Sequence, residues 1–303
     1  MIERYSAHGL TWVKLERPTV EELQTVATEY AVPPALLNDF VAPVPRNQTY
    51  GDGNFVKVVI DFPVVKRISV DHPYEVKFVI GKQVLITAHY EEMEAIDKFK
   101  KHLEVVMTLK KASAKSTGVH LFLGLLAELY ATTSTKLDYV ESLLANIETE
   151  IFKENEQQMV VRIADVSKKL IAFRHLVRAH EDVIRDVQPL IAALFKNTYS
   201  EELQLIHNEY YTLLRRTDTL HVTLNDLRET NMAMLTTKQN EIMKILTIMA
   251  FITFPLTLFT STFGMNTVTA PIIGTPGDFW IIVGIMSLVT ICFFAFFRYK
   301  HWL

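Results

Sequence analysis

Residues that interrupt helices or form disulfides are scarce in this sequence of 303 residues. Its one cysteine, Cys292, excludes a disulfide within the chain and with it the class of extracellular proteins built on disulfides. No glycine occurs from position 125 to 263, and Pro189 is the only proline between positions 74 and 254. Such a stretch predicts an almost wholly helical segment, because glycine and proline are the residues that helices tolerate least.

Signatures of enzymes are also missing. The sequence has no Gly-x-x-x-x-Gly-Lys-Ser/Thr phosphate loop, no Gly-x-Ser-x-Gly elbow, no His-Glu-x-x-His pair and no cysteine pair for zinc. His175 and His180 do not share a helix face, and we interpret them as surface or packing residues. The net charge of −3 gives no general attraction to nucleic acid. The sequence therefore predicts neither an enzyme, nor a catalytic cofactor, nor a nucleic-acid partner.

Charge is wholly absent from two runs near the C-terminus, residues 245–263 and 279–297. These runs account for the positive mean hydropathy of +0.16. Each approaches the roughly 20 apolar residues that a helix needs to cross a bilayer core. Buried core helices are the alternative, but core helices of this length usually carry some charge on one face. We predict a two-helix transmembrane hairpin embedded in a lipid bilayer.

Charges around the hairpin predict its orientation. Lys238, Lys244, Arg298 and Lys300 flank its outer ends, whereas Asp278 is the only charged residue in the loop 264–278. The positive-inside rule therefore places both termini in the cytoplasm and the short loop outside. We expect a multi-pass protein of the cell membrane, either a plasma or an inner membrane.

Residues 1–115 mix predicted strands with short helices, which indicates a cytosolic α/β domain. The predicted strands are residues 11–15, 54–63, 75–80 and 84–88, and Gly51-Asp52-Gly53 is interpreted as a turn. A capping box at Thr19 and Glu22 predicts a helix to about Tyr30, and Pro33-Pro34 predicts another through Phe40.

Residues 116–200 predict a helical hairpin region with a turn at residues 153–157 and a second turn from Pro189 to Ser200. From Glu201 the helical pattern continues without interruption to residue 263, so a long stalk helix is expected to become the first membrane helix at about residue 245. The loop 264–278, the second membrane helix 279–297 and a basic cytosolic tail 298–303 complete the predicted organisation.

The two membrane helices differ in their hydroxyl groups. The second has only Ser287 and Thr290, whereas the first has six: Thr247, Thr253, Thr257, Thr260, Ser261 and Thr262. Hydroxyls gain nothing from contact with lipid, so the first helix is predicted to face protein or water. The alternative is that the hydroxyls hydrogen-bond to their own helix and reflect only helix packing. Two helices cannot enclose a channel, so a pore requires several chains that each supply one first helix.

Steps of three and four residues along the first helix trace one stripe. The stripe is polar at its cytosolic end, then apolar, then bears hydroxyls and finally an amide. Its positions are Asn240, Met243, Leu246, Ala250, Phe254, Thr257, Ser261 and the segment Gly264-Met265-Asn266. Apolar constrictions gate ions by dewetting, and amide or hydroxyl oxygens coordinate a cation or its water shell. We predict that this stripe lines a pore.

Phe263-Gly264-Met265-Asn266, which follows the first hydrophobic helix directly, resembles the CorA family of divalent-cation transporters. The resemblance extends to residues 240–247, to the Pro255-Leu-Thr257 step and to the closing Lys-His-Trp-Leu at residues 300–303. Residues 12–19 and 33–39 near the N-terminus are also similar to the family. The likeness covers essentially the whole chain.

The resemblance implies a funnel-shaped homopentamer that carries Mg²⁺ across the cell membrane, with Co²⁺ or Ni²⁺ as secondary ions. It also implies a role for each position of the stripe. Gly264, Met265 and Asn266 form the outer selectivity filter, Met243 and Leu246 the hydrophobic gate, Phe254 a further narrow point, Asn240 and Thr257 polar rings, and Glu229 a carboxylate ring in the cytosolic funnel. Hydrogen bonds from the water shell of Mg²⁺ to such a filter are chemically reasonable, because Mg²⁺ releases its water reluctantly.

This sequence departs from the family at two places. Many members have acidic residues just after the motif, but residues 267–277 have none, so cations are concentrated less strongly at the mouth. The family's regulatory stalk aspartate corresponds to Leu205. We therefore name Glu201, Glu202 and Glu209 as regulatory metal ligands for cytosolic Mg²⁺, against the alternative of a solvated helix face. Two other functions stay open: a ZntB-like zinc transporter, which the acid-free loop favours, and a membrane-anchored scaffold.

Overall fold

The structure is a computed structural model. It describes residues 1–7, 9–43, 47–63, 73–108, 117–153, 155–196, 199–265, 272 and 276–300. The strands are β1 (Ile2–Ala7), β2 (Leu10–Glu16), β3 (Gln48–Gly51), β4 (Val56–Phe62), β5 (Tyr74–Ile80) and β6 (Val84–His89). The helices are α1 (Val20–Glu29), α2 (Pro34–Leu37), α3 (Glu94–Thr108), α4 (Gly118–Ile151), α5 (Glu156–Phe195), α6 (Ser200–Phe263) and α7 (Asp278–Tyr299).

The chain forms two compact units, Met1–Arg228 and Glu229–Leu303, and α6 contributes residues to both. The finer division of the chain at residues 115, 200, 263, 278 and 297 stays a prediction.

A six-stranded mixed sheet in the order β1-β2-β6-β5-β4-β3 organises the first unit. β2 and β6 are parallel, and the other neighbouring strands are antiparallel. α1 and α2 cover one face, where Leu23, Val26 and Leu36 pack against Val13 and Ile86. α4 and α5 contact the sheet strands, and α3 packs on α4. The predicted α/β domain is therefore confirmed as a layered α/β/α arrangement, as expected for a sheet that must bury apolar side chains on both faces.

Short polar signals place several elements of this unit correctly. Thr19 and Glu22 form the predicted capping box at the start of α1. The carboxylate of Asp52 accepts hydrogen bonds from the backbone N–H groups of Asn54 (3.0 Å) and Phe55 (2.7 Å), which makes Gly51-Asp52-Gly53 the predicted turn. The sequence patterns missed the edge strands β1 and β3, and the helix predicted from Pro33-Pro34 through Phe40 ends already at Leu37.

Long helices follow the sheet, with one correction to the expected turns. The turn predicted at residues 153–157 separates α4 from α5, but Pro189 does not begin a turn: it lies inside α5. The buried side chains of Val187 and Ile191 flank it and hold that helix against the core, which offsets the lost hydrogen bond. α5 ends instead at Phe195, and the residue that follows it, Lys196, has the positive φ of 57° that is typical of a helix C-cap.

Arg216 ties α6 to α4 within the first unit. Its guanidinium group donates to the carboxylates of Asp138 and Glu141, the latter at 2.6 Å, and to the hydroxyl of Ser134 at 3.2 Å. A planar guanidinium suits such a multidentate contact. The residues of α6 beside Arg216 are therefore held in register with α4 by directional bonds in addition to apolar packing.

His180 joins three elements in the interior of the first unit. Its Nε2 donates to the carbonyl of Asp61 on β4 at 2.6 Å, so its Nδ1 accepts from the hydroxyl of Tyr130 on α4 at 3.2 Å. Its ring also packs edge-on against Phe62, with centroids 5.1 Å apart. Complete burial favours the neutral imidazole and lowers the pKa of His180 to about 4.

This pKa predicts acid sensitivity of the first unit. Between about pH 6.5 and pH 4 the unfolded chain binds a proton at His180 that the folded chain does not, so stability is complete above pH 6.5 and declines below it. One such proton corresponds to a slope of about 1.4 kcal/mol per pH unit. Burial also lowers the pKa of His89, which contributes in the same direction. Denaturant unfolding of the full chain in detergent across this range measures the slope.

A pair of variants separates the contribution of His180 from that of other groups. His180→Gln is neutral at every pH, so we expect its slope to be smaller by about one proton, although the variant is less stable at pH 7. His175 lies on the same helix with an exposed side chain, and His175→Gln is the matched control that keeps the wild-type slope. Equal slopes for the two variants contradict the assignment.

Candidate functional site

Within the described residues, α6 and α7 are the two helices long and apolar enough to cross a membrane. In their most apolar stretches only 6% of the residues of α6 and none of those of α7 are buried. Core helices of a water-soluble protein would be covered by other parts of the chain. This exposure therefore argues against the core-helix alternative and for the predicted membrane hairpin.

One face of α6 packs on α7 within the second unit. Ile248 and Phe297, 5% and 4% exposed, are the buried residues among those described in the two apolar segments. The rings of Phe251 and Phe297 meet edge-on, with centroids 6.4 Å apart. Pro255 and Phe259 continue the same side of α6 and are half-buried. This contact was not predicted from the sequence. The available signal was a row of apolar residues, spaced by three and four, on the side of α6 opposite its hydroxyls.

The predicted pore stripe lies on the opposite face of α6. At about 100° per residue, the positions from Met243 to Ser261 fall about 120° to 180° around the helix from Ile248, whereas Asn240 and Glu229 lie at about 80° and 100° from it. Met243, Leu246 and Phe254 are 57%, 56% and 72% exposed. The remaining members on α6 are exposed except for half-buried Ala250; they are Asn240, Thr257, Ser261 and, at the other end, Glu229. The structure thus brings the positions from Met243 to Ser261 onto one exposed face of the single chain, with Asn240 and Glu229 at its edge.

Hydroxyl groups in the two membrane helices form the same kind of hydrogen bond. On α6, Thr253 donates to the carbonyl of Met249 (2.6 Å) and Thr257 to that of Thr253 (2.9 Å). On α7, Ser287 and Thr290 donate to carbonyls four residues earlier, both within 2.9 Å. For these four hydroxyls the structure therefore shows the alternative stated above, hydrogen bonds to their own helix. Each hydroxyl oxygen that has donated its hydrogen still accepts hydrogen bonds, so Thr257 suits an ion-bound water.

The proposed filter begins at the C-terminal end of α6. The N–H of Gly264 donates to the carbonyl of Thr260 at 2.9 Å, and a Cβ on Gly264 would come within 3.0 Å of that oxygen. Met265 is 59% exposed. The helix dipole places partial negative charge at this end, which favours a cation. Asn266 lies outside the described residues.

The structure does not gather the predicted regulatory residues into a metal site. Glu201 and Glu209 are exposed and Glu202 is half-buried, and all three lie in the first three turns of α6. Among the residues that the structure describes, no three His, Cys, Asp or Glu side chains of one chain are grouped to hold a metal ion. The regulatory role of these glutamates stays a prediction.

Comparison with known proteins gives consistent results. A family model described as "CorA-like Mg2+ transporter protein" matches residues 7–299. The cobalt/magnesium transport protein CorA of Thermotoga maritima is 20% identical over 97% of this chain and 83% of its own length. Its namesake in Methanocaldococcus jannaschii is 22% identical over 99% of this chain and 93% of its own length. Both are named as transport proteins, which confirms the prediction that the chain is not an enzyme.

Solved structures confirm the fold class. The complete CorA magnesium transporter from Methanocaldococcus jannaschii superposes with a TM-score of 0.79 at 21% identity, covering 99% of this chain and 93% of that one. The ZntB cytoplasmic domain from Vibrio parahaemolyticus gives a TM-score of 0.60 at 14% identity, covering 76% of this chain and 88% of that domain. The α/β domain, the long helix and two apolar C-terminal helices are common to the full-length match and this chain.

Proposed function

Because the chain belongs to the CorA-like Mg²⁺ transporter family, we propose that it carries Mg²⁺ across the cell membrane through a pore lined by α6. The observation that supports the pore most directly is the free face of α6. Its side chains run from polar to apolar to hydroxyl-bearing and lie opposite the face that packs on α7. A helix face in contact with lipid has no use for polar and hydroxyl-bearing side chains at its two ends, whereas a pore needs them to bind the ion and needs the apolar side chains between them as a gate.

A homopentamer is the proposed assembly. One chain supplies only one α6, so the pore arises where the α6 stripes of several chains face one another around an axis. The family resemblance supplies the number five. A mass measurement of the full chain in detergent tests it: a pentamer is expected, and a monomer or dimer favours the membrane-anchored scaffold instead.

Mg²⁺ is the proposed main ion because the polar side chains of the stripe offer oxygen atoms as ligands for a cation. Mg²⁺ prefers oxygen ligands and keeps much of its water shell, whereas Zn²⁺ prefers histidine nitrogen and cysteine sulfur, which the stripe lacks. Co²⁺ and Ni²⁺ are proposed as secondary ions. Flux of each metal into liposomes tests this choice. Transport of Zn²⁺ driven by a proton gradient, with no Mg²⁺ flux, supports the ZntB-like alternative.

Met243 and Leu246 form the proposed hydrophobic gate, with Phe254 as a further narrow point. We expect Met243→Ser to raise Mg²⁺ flux several-fold, because a hydroxyl keeps the constriction hydrated. The chain provides a matched control in Met249, which is 58% exposed against 57% for Met243 but lies off the stripe. Met249→Ser should leave flux unchanged. An equal rise in both variants argues against a gate at Met243 and for a general loosening of the helix.

Cytosolic Mg²⁺ is proposed to close the pore by binding between acidic faces of neighbouring chains, with Glu201, Glu202 and Glu209 as ligands. Their exposure on α6 is compatible with a site shared between chains. Liposomes loaded with increasing internal Mg²⁺ test the proposal. Flux should fall in the wild type and respond less in the triple Gln variant; a wild-type flux that ignores internal Mg²⁺ contradicts it.

A further inference from the structure

Basic side chains collect at the end of the hairpin opposite its loop. We call Lys238 and Lys244 of α6, Arg298 of α7 and Lys300, which directly follows α7, the basic rim. Lys244, Arg298 and Lys300 are exposed, and Lys238 is half-buried. Lys244 lies one helical turn before the buried Ile248, and Arg298 directly follows Phe297, whose ring meets that of Phe251 on α6.

The basic rim lies away from the proposed conduction path. Around α6, Lys244 lies about 40° from the buried Ile248 on one side and Lys238 about 80° from it on the other, whereas the stripe positions from Met243 to Ser261 lie about 120° to 180° away. Positively charged side chains on the stripe would repel a divalent ion. The position of Lys238 and Lys244 away from the stripe is therefore compatible with transport. The only acid of α6 between Lys238 and Lys244 is Glu241, so the rim with this residue carries a net positive charge.

Apolar side chains continue the rim on its membrane side. Phe294 and Phe296 of α7 are 52% and 53% exposed, and Tyr299, between the two α7 cations, is 82% exposed. A surface with exposed cations at one end and aromatic or aliphatic side chains immediately beside them matches an amphiphile with an anionic head and hydrocarbon tails. A soluble anion such as phosphate would contact only the cations of this surface and not its aromatic side chains.

We infer that the basic rim binds anionic phospholipid, with the headgroup phosphate between the cations of α6 and α7 and the acyl chains along the aromatic side chains of α7. The inference rests on the proposed function only in requiring that the hairpin cross a bilayer. Bound lipid would bridge the ends of the two helices and support the packing of α6 on α7.

Native mass spectrometry of the purified full chain tests this site. The protein is equilibrated in micelles that contain equal amounts of phosphatidylglycerol and phosphatidylcholine, and the lipids it retains are counted. We expect preferential retention of phosphatidylglycerol that weakens at high salt. Glycerol 3-phosphate without acyl chains should not compete at equal concentration. Equal retention of both lipids overturns the inference, and competition by glycerol 3-phosphate shows a simple anion site.

Matched variants locate the binding. In Arg298→Gln/Lys300→Gln we expect phosphatidylglycerol affinity to fall by about fivefold for each charge removed. Lys244→Gln removes a charge of the same site on α6 and leaves the basic C-terminal segment 298–303 unchanged. The control, Lys101→Gln/Lys168→Gln, removes two exposed charges from the first unit and should retain wild-type binding. Unchanged binding in both rim variants contradicts the inference.

Transport measurements separate this inference from the proposed function. Wild-type protein that retains phosphatidylglycerol but moves no divalent cation in liposomes of any composition leaves the lipid site intact and refutes the transport proposal. Protein that moves Mg²⁺ but shows no preference for phosphatidylglycerol refutes the lipid site and leaves the transport proposal intact.

Discussion

We expect Mg²⁺ uptake into liposomes to fall by on the order of 100-fold when Asn266 is replaced by alanine. In the proposed pentamer each chain contributes one amide oxygen that accepts a hydrogen bond from the hydrated ion. The substitution removes all five acceptors at once, and five hydrogen bonds of about 0.5 kcal/mol each, at the low end of the usual range, give about 2.5 kcal/mol, which corresponds to that factor. Ion flux, measured with a fluorescent Mg²⁺ indicator inside the liposomes, gives the result directly.

Asn225→Ala is the control for this variant. Asn225 is an exposed asparagine in the part of α6 that belongs to the first unit, where its amide contacts the His221 ring. We expect its flux to equal that of the wild type. Normal Mg²⁺ flux in Asn266→Ala would contradict the assignment of Asn266 to the selectivity filter, and it would leave the description of the fold unchanged.

Gly118→Ala is expected to destabilise the first unit strongly. Gly118 is buried at the start of α4, where its N–H donates to the carbonyl of Lys82 at 3.2 Å. An added Cβ would overlap the carbonyl of Gly81 and lie 2.5 Å from that of Val84. Both obstacles are backbone atoms of the turn between β5 and β6, so neither can move aside as a side chain would. We expect a loss of about 3 kcal/mol or more and a melting temperature lower by several degrees.

Gly124 provides the comparison within the same helix. A Cβ there meets only the ring of Phe99, at 3.1 Å, and a ring can shift by a few tenths of an ångström. Alanine also gains about 1 kcal/mol of helix propensity over glycine. Gly124→Ala should therefore change the unfolding free energy by less than about 1 kcal/mol in either direction. Equal losses in the two variants, measured by thermal unfolding in detergent, contradict the close approach at Gly118.

The edge strands and the proline in α5 show where sequence patterns fail. β3 alternates half-buried and exposed side chains over only four residues, Gln48–Gly51, too short a run to register as a strand. Pro189 indicated a turn because its ring removes one helical hydrogen bond. The buried neighbours Val187 and Ile191 overrule that local preference, and sequence periodicity does not measure packing energy.

The hydroxyls of α6 illustrate the same limit at the candidate site. The sequence revealed their number but not their partners. In the structure Thr253 and Thr257 donate to their own helix, as Ser287 does on α7, so hydroxyl content alone does not distinguish a pore helix from a lipid-facing one. The contact of Phe251 with Phe297 shows instead which side of α6 is covered by α7 in the single chain.

The sequence by itself determined the membrane hairpin and the length of α6. Both depend on local composition: a run of residues 245–263 without charge, and a segment from 125 to 263 without glycine, leave few alternatives to a continuous helix that enters a bilayer. The tertiary structure decided which face of that helix is free. Ile248 on α6 and Phe297 on α7 are buried and the rings of Phe251 and Phe297 meet, and only such contacts between residues distant in sequence determine which side of α6 is covered.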